Sequence, residues 1–145
     1  MAWFMGLGAC ASNPAPVFEA PSAPEPVFAP EPVATDAQVC QSRSECTLKV
    51  SRSLLFVFAY AEAGAPLLER YEPRRLRTPE PADGPWPALD IELAEAEGGA
   101  FIMRSECRVG CRVGPSEVLR AYRLYLDGGA CHWHHGRCEA LSKTP

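Results

Sequence analysis

Residues 89–104 read LDIELAEAEGGAFIMR and carry the clearest structural signal of the chain. Leu89, Ile91 and Leu93 alternate with Asp90 and Glu92. Apolar side chains on every second residue describe a strand with one buried and one wet face. The alternation slips phase at Ala94-Glu95, as at a β-bulge. Gly98-Gly99 then supplies a turn, and Phe101 to Arg104 makes a returning strand. The stretch predicts a β-hairpin.

Two other places repeat the turn signal, an acid, one small residue, Gly and Ala. Glu62-Ala63-Gly64-Ala65 follows the apolar run Leu54 to Tyr60 and precedes Pro66 to Tyr71. Asp127-Gly128-Gly129-Ala130 follows Leu119 to Leu126 and leads into a candidate strand, Ala130 to His134. The aromatic-rich first run favours a strand over a short buried helix. The second run is open. Val118, Leu119, Tyr122, Tyr125 and Leu126 also fit one helical face, with Pro115 placed to start it. Taken as three hairpins, these units predict a mainly β domain, a small antiparallel sandwich or open barrel of about six strands. An α+β fold with one or two helices is the runner-up. Residues 72–88 hold Pro73, Pro79, Pro81, Pro85 and Pro87 and are expected to be irregular.

Six cysteines fall in close pairs in this region, Cys40 and Cys46, Cys107 and Cys111, Cys131 and Cys138. In an exported chain an even set reads as disulfides, but spacing leaves all the connectivities open. The spacings fit zinc thiolate sites poorly. The tandem CRVGCRVG at 107–114 reads as a stapled turn, because Gly110 and Gly114 argue against a helix there.

The 14 basic and 18 acidic residues give a net charge of −4, which argues against a nucleic-acid partner. All the basic residues follow position 42, so the first segment carries the whole negative excess. Residues 11–39 hold seven prolines, and Pro-Val-Phe occurs at 16–18 and again at 26–28. Proline at this density favours an extended tether.

That tether follows MAWFMGLGAC, residues 1–10. Leu7-Gly8-Ala9-Cys10 resembles the lipobox of bacterial lipoproteins, a Leu-[Ala/Ser/Gly]-[Gly/Ala]-Cys pattern. No Lys or Arg precedes Cys10, where signals of that family carry a positive n-region. The resemblance implies that residues 1–9 are a signal removed before Cys10. It implies that the Cys10 thiol carries a diacylglyceryl group and holds the protein to a membrane. Ala11, standing where Asp often signals inner-membrane retention, implies the outer membrane or the cell surface. The expected organisation is a signal-like segment at 1–9, a lipid-anchor cysteine with a Pro-rich tether at 10–39, and a disulfide-stabilised domain at 40–145.

The chemistry-bearing stretch is Cys131-His132-Trp133-His134-His135-Gly136-Arg137-Cys138, which holds every histidine of the chain. On a strand, His132 and His134 share one face and His135 takes the other. Imidazoles suit Cu or Zn, so a metal site on His132, His134 and His135 is one reading. Asp90, Glu92, Glu95 and Glu97 read as a solvated strand face. Arg70, Arg74, Arg75 and Arg77 form a basic cluster that suits anionic headgroups or an acidic partner. No G-x-S-x-G, P-loop or G-x-G-x-x-G motif is present. The expectation is a non-enzymatic, lipid-anchored cell-envelope module with a binding or structural role, an envelope protein or polysaccharide being the candidate partner. An envelope metal-binding protein is the alternative.

Overall fold

The computed structural model describes residues 33–79 and 84–142. Its strands are β1 (Val33–Val39), β2 (Glu69–Glu72), β3 (Arg75–Arg77), β4 (Ala88–Glu92), β5 (Ala100–Glu106), β6 (Cys131–His134) and β7 (Arg137–Ala140). Its helices are α1 (Arg43–Glu62) and α2 (Pro115–Leu126). An antiparallel five-stranded sheet runs β1-β5-β4-β3-β2, and β6 and β7 form a separate two-stranded ribbon. The protein is therefore mainly β, antiparallel and disulfide-stapled, with an open sheet and no closed barrel among the described residues.

The hairpin read at 89–104 is present. Ile91 pairs with Met103 and Leu89 with Ser105, so Leu89, Ile91, Phe101 and Met103 share the buried face. The turn signal has a different meaning at the other two sites. Gly64 (φ +95°) and Gly128 (φ +87°) end helices. The Ala65 amide donates to Tyr60 O, and the Gly129 amide to Leu124 O. These are the long hydrogen bonds that close a helix whose next residue is left-handed. Residues 54–60, expected as a strand, therefore belong to α1. Residues 119–126 belong to α2, in line with their helical periodicity.

The physical reason for the first correction lies in what α1 buries. Phe56, Val57, Tyr60 and Ser53 face the core, while Leu48, Leu54, Leu55 and Phe58 are exposed. Apolar residues on both faces erase the 3.6-residue period. The start is conventional. Ser42 accepts from the Glu45 amide at 3.2 Å, and Glu45 Oε2 accepts from the Gln41 amide at 2.8 Å. This resembles a capping box, one residue displaced. In α2, Pro115 occupies the first turn and Val118, Ala121, Tyr122, Tyr125 and Leu126 are buried.

Two further boundaries differ from the expectation. β1 falls inside the segment read as tether, yet it pairs with β5 along its whole length, Val33 with Glu106 to Val39 with Ala100. No proline occurs between Pro32 and Pro66, so nothing denies β1 its ladder. β3 lies within the stretch expected to be irregular. Its residues fall between Pro73 and Pro79, and pair with Asp90 to Glu92 of β4. Cys10 and most of the Pro-rich segment lie outside the described residues.

Helix α2 packs on β1 and β5, and α1 packs on α2. Phe56 is fully buried where the helices meet, with its ring 5.1 Å from that of Tyr122 and 5.7 Å from that of Tyr125. Arg123 of α2 grips Asp36 of β1 through two hydrogen bonds of 2.6 and 3.0 Å. The disulfides join sequence neighbours, Cys40–Cys46, Cys107–Cys111 and Cys131–Cys138. The first ties the end of β1 to the first turn of α1.

Candidate functional site

The β6–β7 ribbon turns through His135 (φ +48°) and Gly136 (φ +77°). Two consecutive left-handed residues make the turn whose twist suits a two-residue hairpin. Glycine is favoured at 136 for a second reason. A Cβ there would stand 3.1 Å from Arg112 O and crowd the 111–113 loop.

Trp133 alternates with His132 and His134 and so projects from the opposite face of the ribbon. Its ring centroid lies 5.4 Å from that of Trp86, the planes crossing at 85°. Tyr60 completes the cluster, 4.9 Å from Trp86 and 5.9 Å from Trp133. Burial pushes the Tyr60 phenol well above its ordinary pKa, so it stays neutral. Its hydroxyl donates to Pro87 O at 3.1 Å and secures the loop that carries Trp86. The Arg112 amide donates to Pro85 O at 2.7 Å and ties the next loop to the same point.

These elements enclose a cleft of about 700 Å³. Its walls are the end of α1 at Ala63 and Gly64, the loop at Pro85 and Trp86, the loop at Arg112 and Val113, and the ribbon at Trp133, His135 and Gly136. Two disulfides border it. Cys107–Cys111 closes the loop leading into Arg112, and Cys131–Cys138 closes the ribbon. Both tryptophans are half-buried, so part of each indole meets solvent. The Arg112 side chain is exposed and its guanidinium has no partner among the described residues. Among the described residues the lining contains no carboxylate, hydroxyl or thiol. Trp133 Nε1 is buried without a hydrogen-bond partner among the described residues.

A two-stranded ribbon is marginal by itself, and this one is clamped to α2. Glu117 Oε1 accepts from the Cys138 amide at 2.8 Å, and Arg120 donates both to Glu117 and to Cys138 O. The Arg120 guanidinium, followed by the Cys138 amide, holds the Glu117 carboxyl below its ordinary pKa against the opposing effect of burial. A depressed folded-state pKa contributes stability above the unfolded-state value, and the contribution is lost as pH falls through the folded-state value. Glu117→Gln is therefore expected to lower unfolding free energy at pH 7 by about 1–3 kcal/mol. It should also flatten the loss of stability below about pH 4. Urea unfolding of both proteins from pH 7 to pH 2 measures this, and parallel curves would remove the clamp.

The three histidines are divided between strand and turn. His132 and His134 are exposed on one strand face, as expected. His135 sits in the turn and lines the cleft. The His134 and His135 rings are 4.1 Å apart, and His134 Nδ1 is 3.7 Å from Glu139 Oε1. Among the described residues no group of three or more His, Cys, Asp or Glu side chains is placed to hold a metal ion. The basic cluster is engaged internally. Arg75 donates to Asp90 through two 2.7 Å hydrogen bonds, Arg74 to Ala94 O, and Arg70 to Pro73 O.

Trp86, Trp133 and Arg112 carry no functional pattern in the sequence. The local signals are a tryptophan between two prolines and another between two histidines in a cysteine-bounded turn. Neither shows that residues 47 apart become neighbours. Comparison with family models, curated proteins and solved structures finds no match.

Proposed function

We propose that this chain is a non-enzymatic, lipid-anchored module of a bacterial cell envelope, and that the Trp86–Trp133 cleft is where it binds its partner. One observation carries the binding reading. Separate elements, two of them closed by disulfides, converge to hold two half-buried indoles and a guanidinium that has no partner among the described residues around one open concavity. Ligand sites are typically concave, aromatic-lined and provided with a few polar groups. An arginine and an imidazole with no carboxylate or hydroxyl beside them among the described residues suit recognition more than bond cleavage.

The envelope reading rests on the lipobox-like Leu7 to Cys10 and on six cysteines joined as disulfides, which suit an oxidising compartment. Cys10 is the proposed lipidated residue, and the Pro-rich segment after it the tether to the outer membrane. The membrane and an envelope protein or polysaccharide are the partners this implies. Among the described residues no helix is long and apolar enough to cross a membrane.

The test has two parts. Expressed with its native upstream sequence in a lipoprotein-competent bacterium, the protein should fractionate with membranes and gain acyl mass at Cys10. Cys10→Ser should be released. An equally membrane-bound Cys10→Ser removes the anchor. For the cleft, a solubilised envelope fraction is titrated into ¹⁵N-labelled protein. Indole Nε1 resonances of Trp86 and Trp133 should move, and the amides of β2 should not. Movement only outside the cleft relocates the binding site and sinks the cleft.

A further inference from the structure

We infer that the cleft recognises a carboxylate-bearing sugar, one ring of an acidic glycan; this rests on the cleft being the ligand site. The charge of the lining comes first. Among the described residues ten of the twelve arginines have partners, through ion pairs, hydrogen bonds or other electrostatic contacts, and Arg112 and Arg43 have none. The Arg112 backbone is fixed by Pro85 O, so the guanidinium is displayed from a rigid point while its head stays uncommitted. A planar guanidinium with parallel N–H donors matches a carboxylate in a two-point contact. A cationic ligand held by the aromatic rings is the wrong sign, because among the described residues no carboxylate lines the cleft to neutralise it.

The indoles supply the second half. Trp86 and Trp133 cross at 85°, so their surfaces form a corner rather than a slot for one aromatic plate. A pyranose offers a C–H face of slightly positive character, which suits the negative face of an indole. Its equatorial hydroxyls point outward around the rim. At the rim Gly64 and Gly136 carry no side chain. A cleft of about 700 Å³ has room for more than one sugar ring.

The full chain is titrated at physiological salt with three probes, followed through the Trp86 and Trp133 indole resonances and by calorimetry. The probes are a tetrasaccharide of alternating glucuronate and N-acetylglucosamine, a neutral N-acetylglucosamine tetramer, and indole-3-acetate. The acidic tetrasaccharide should bind at least tenfold more tightly than either other probe. Arg112→Ala should abolish that preference. Arg43→Ala, at the opposite end of α1 from the cleft, should keep it. Equal binding of acidic and neutral sugars overturns the inference, as does an unchanged preference in Arg112→Ala. Tighter binding of indole-3-acetate replaces the sugar with an aromatic acid and overturns it too. In those outcomes the indole shifts still support the cleft. Unmoved indoles with the acidic tetrasaccharide overturn the ligand class, and the envelope-fraction titration then decides the cleft separately.

Discussion

Phe56→Ala should lower the unfolding free energy by about 3–5 kcal/mol, the range for deleting a buried aromatic ring. Phe56 is fully buried and lies against Tyr60, Tyr122 and Tyr125. Its removal leaves a hole lined by rings that cannot all close in. Tyr60 and Tyr122 are also held by their hydroxyls, Tyr60 to Pro87 O and Tyr122 to Ser53 Oγ at 2.8 Å, so collapse would break hydrogen bonds. With total stability on the order of 5–15 kcal/mol, the loss is a large share of the whole. Chemical denaturation of wild type and variant, disulfides intact, measures it. Leu55→Ala on the exposed face of the same helix should cost under about 0.5 kcal/mol. Similar costs at both positions would mean that α1 buries a different face.

The second large effect is expected at the ribbon. Replacing Cys131 and Cys138 together by alanine should cost about 2–3 kcal/mol, from the added freedom of the unfolded chain. The loss should also be local. The ribbon would then rely on the Glu117–Arg120 clamp and on the packing of Trp133. Amide exchange should accelerate from Cys131 to Ala140 more than in the five-stranded sheet, because ribbon opening no longer stretches a covalent loop. Affinity for the cleft ligand should fall with it, since Trp133, His135 and Gly136 ride on the ribbon. Uniform acceleration across the protein would instead make the ribbon part of one cooperative core.

The Glu117 and Cys131/Cys138 effects bear on the same element from different sides. Glu117 acts across the interface with α2, and its contribution follows pH. The disulfide acts within the ribbon and is indifferent to pH. Combining them should show coupling, because each restrains the same backbone around Cys138.

Several elements are legible in the amino-acid sequence itself. Period-2 alternation at Leu89, Ile91 and Leu93 marks β4, and the glycines after it mark the return into β5. Pro115 with Val118, Tyr122 and Tyr125 carries the helical option for α2. The even cysteine set announces disulfides. In each case the signal is local, written within one turn or one strand length of itself.

What stays hidden depends on partners distant in the chain. VATDAQV at 33–39 has little β-forming bulk, and becomes a strand because β5, more than sixty residues on, offers it a ladder. The run at 54–60 could satisfy a strand or a helix. Packing against α2 buries Phe56 and Tyr60 with their rings 5.6 Å apart, a contact between residues four apart that a helix makes and an extended strand does not. The cysteine pairing needs the loops to be placed before any sulfur can choose. Trp86 and Trp133 mean nothing singly, and they form a site only because the core brings their loops to one edge. Side-chain patterns report which face of a local element is apolar. Which element comes to cover that face, and what is left open beside it, is settled by long-range packing.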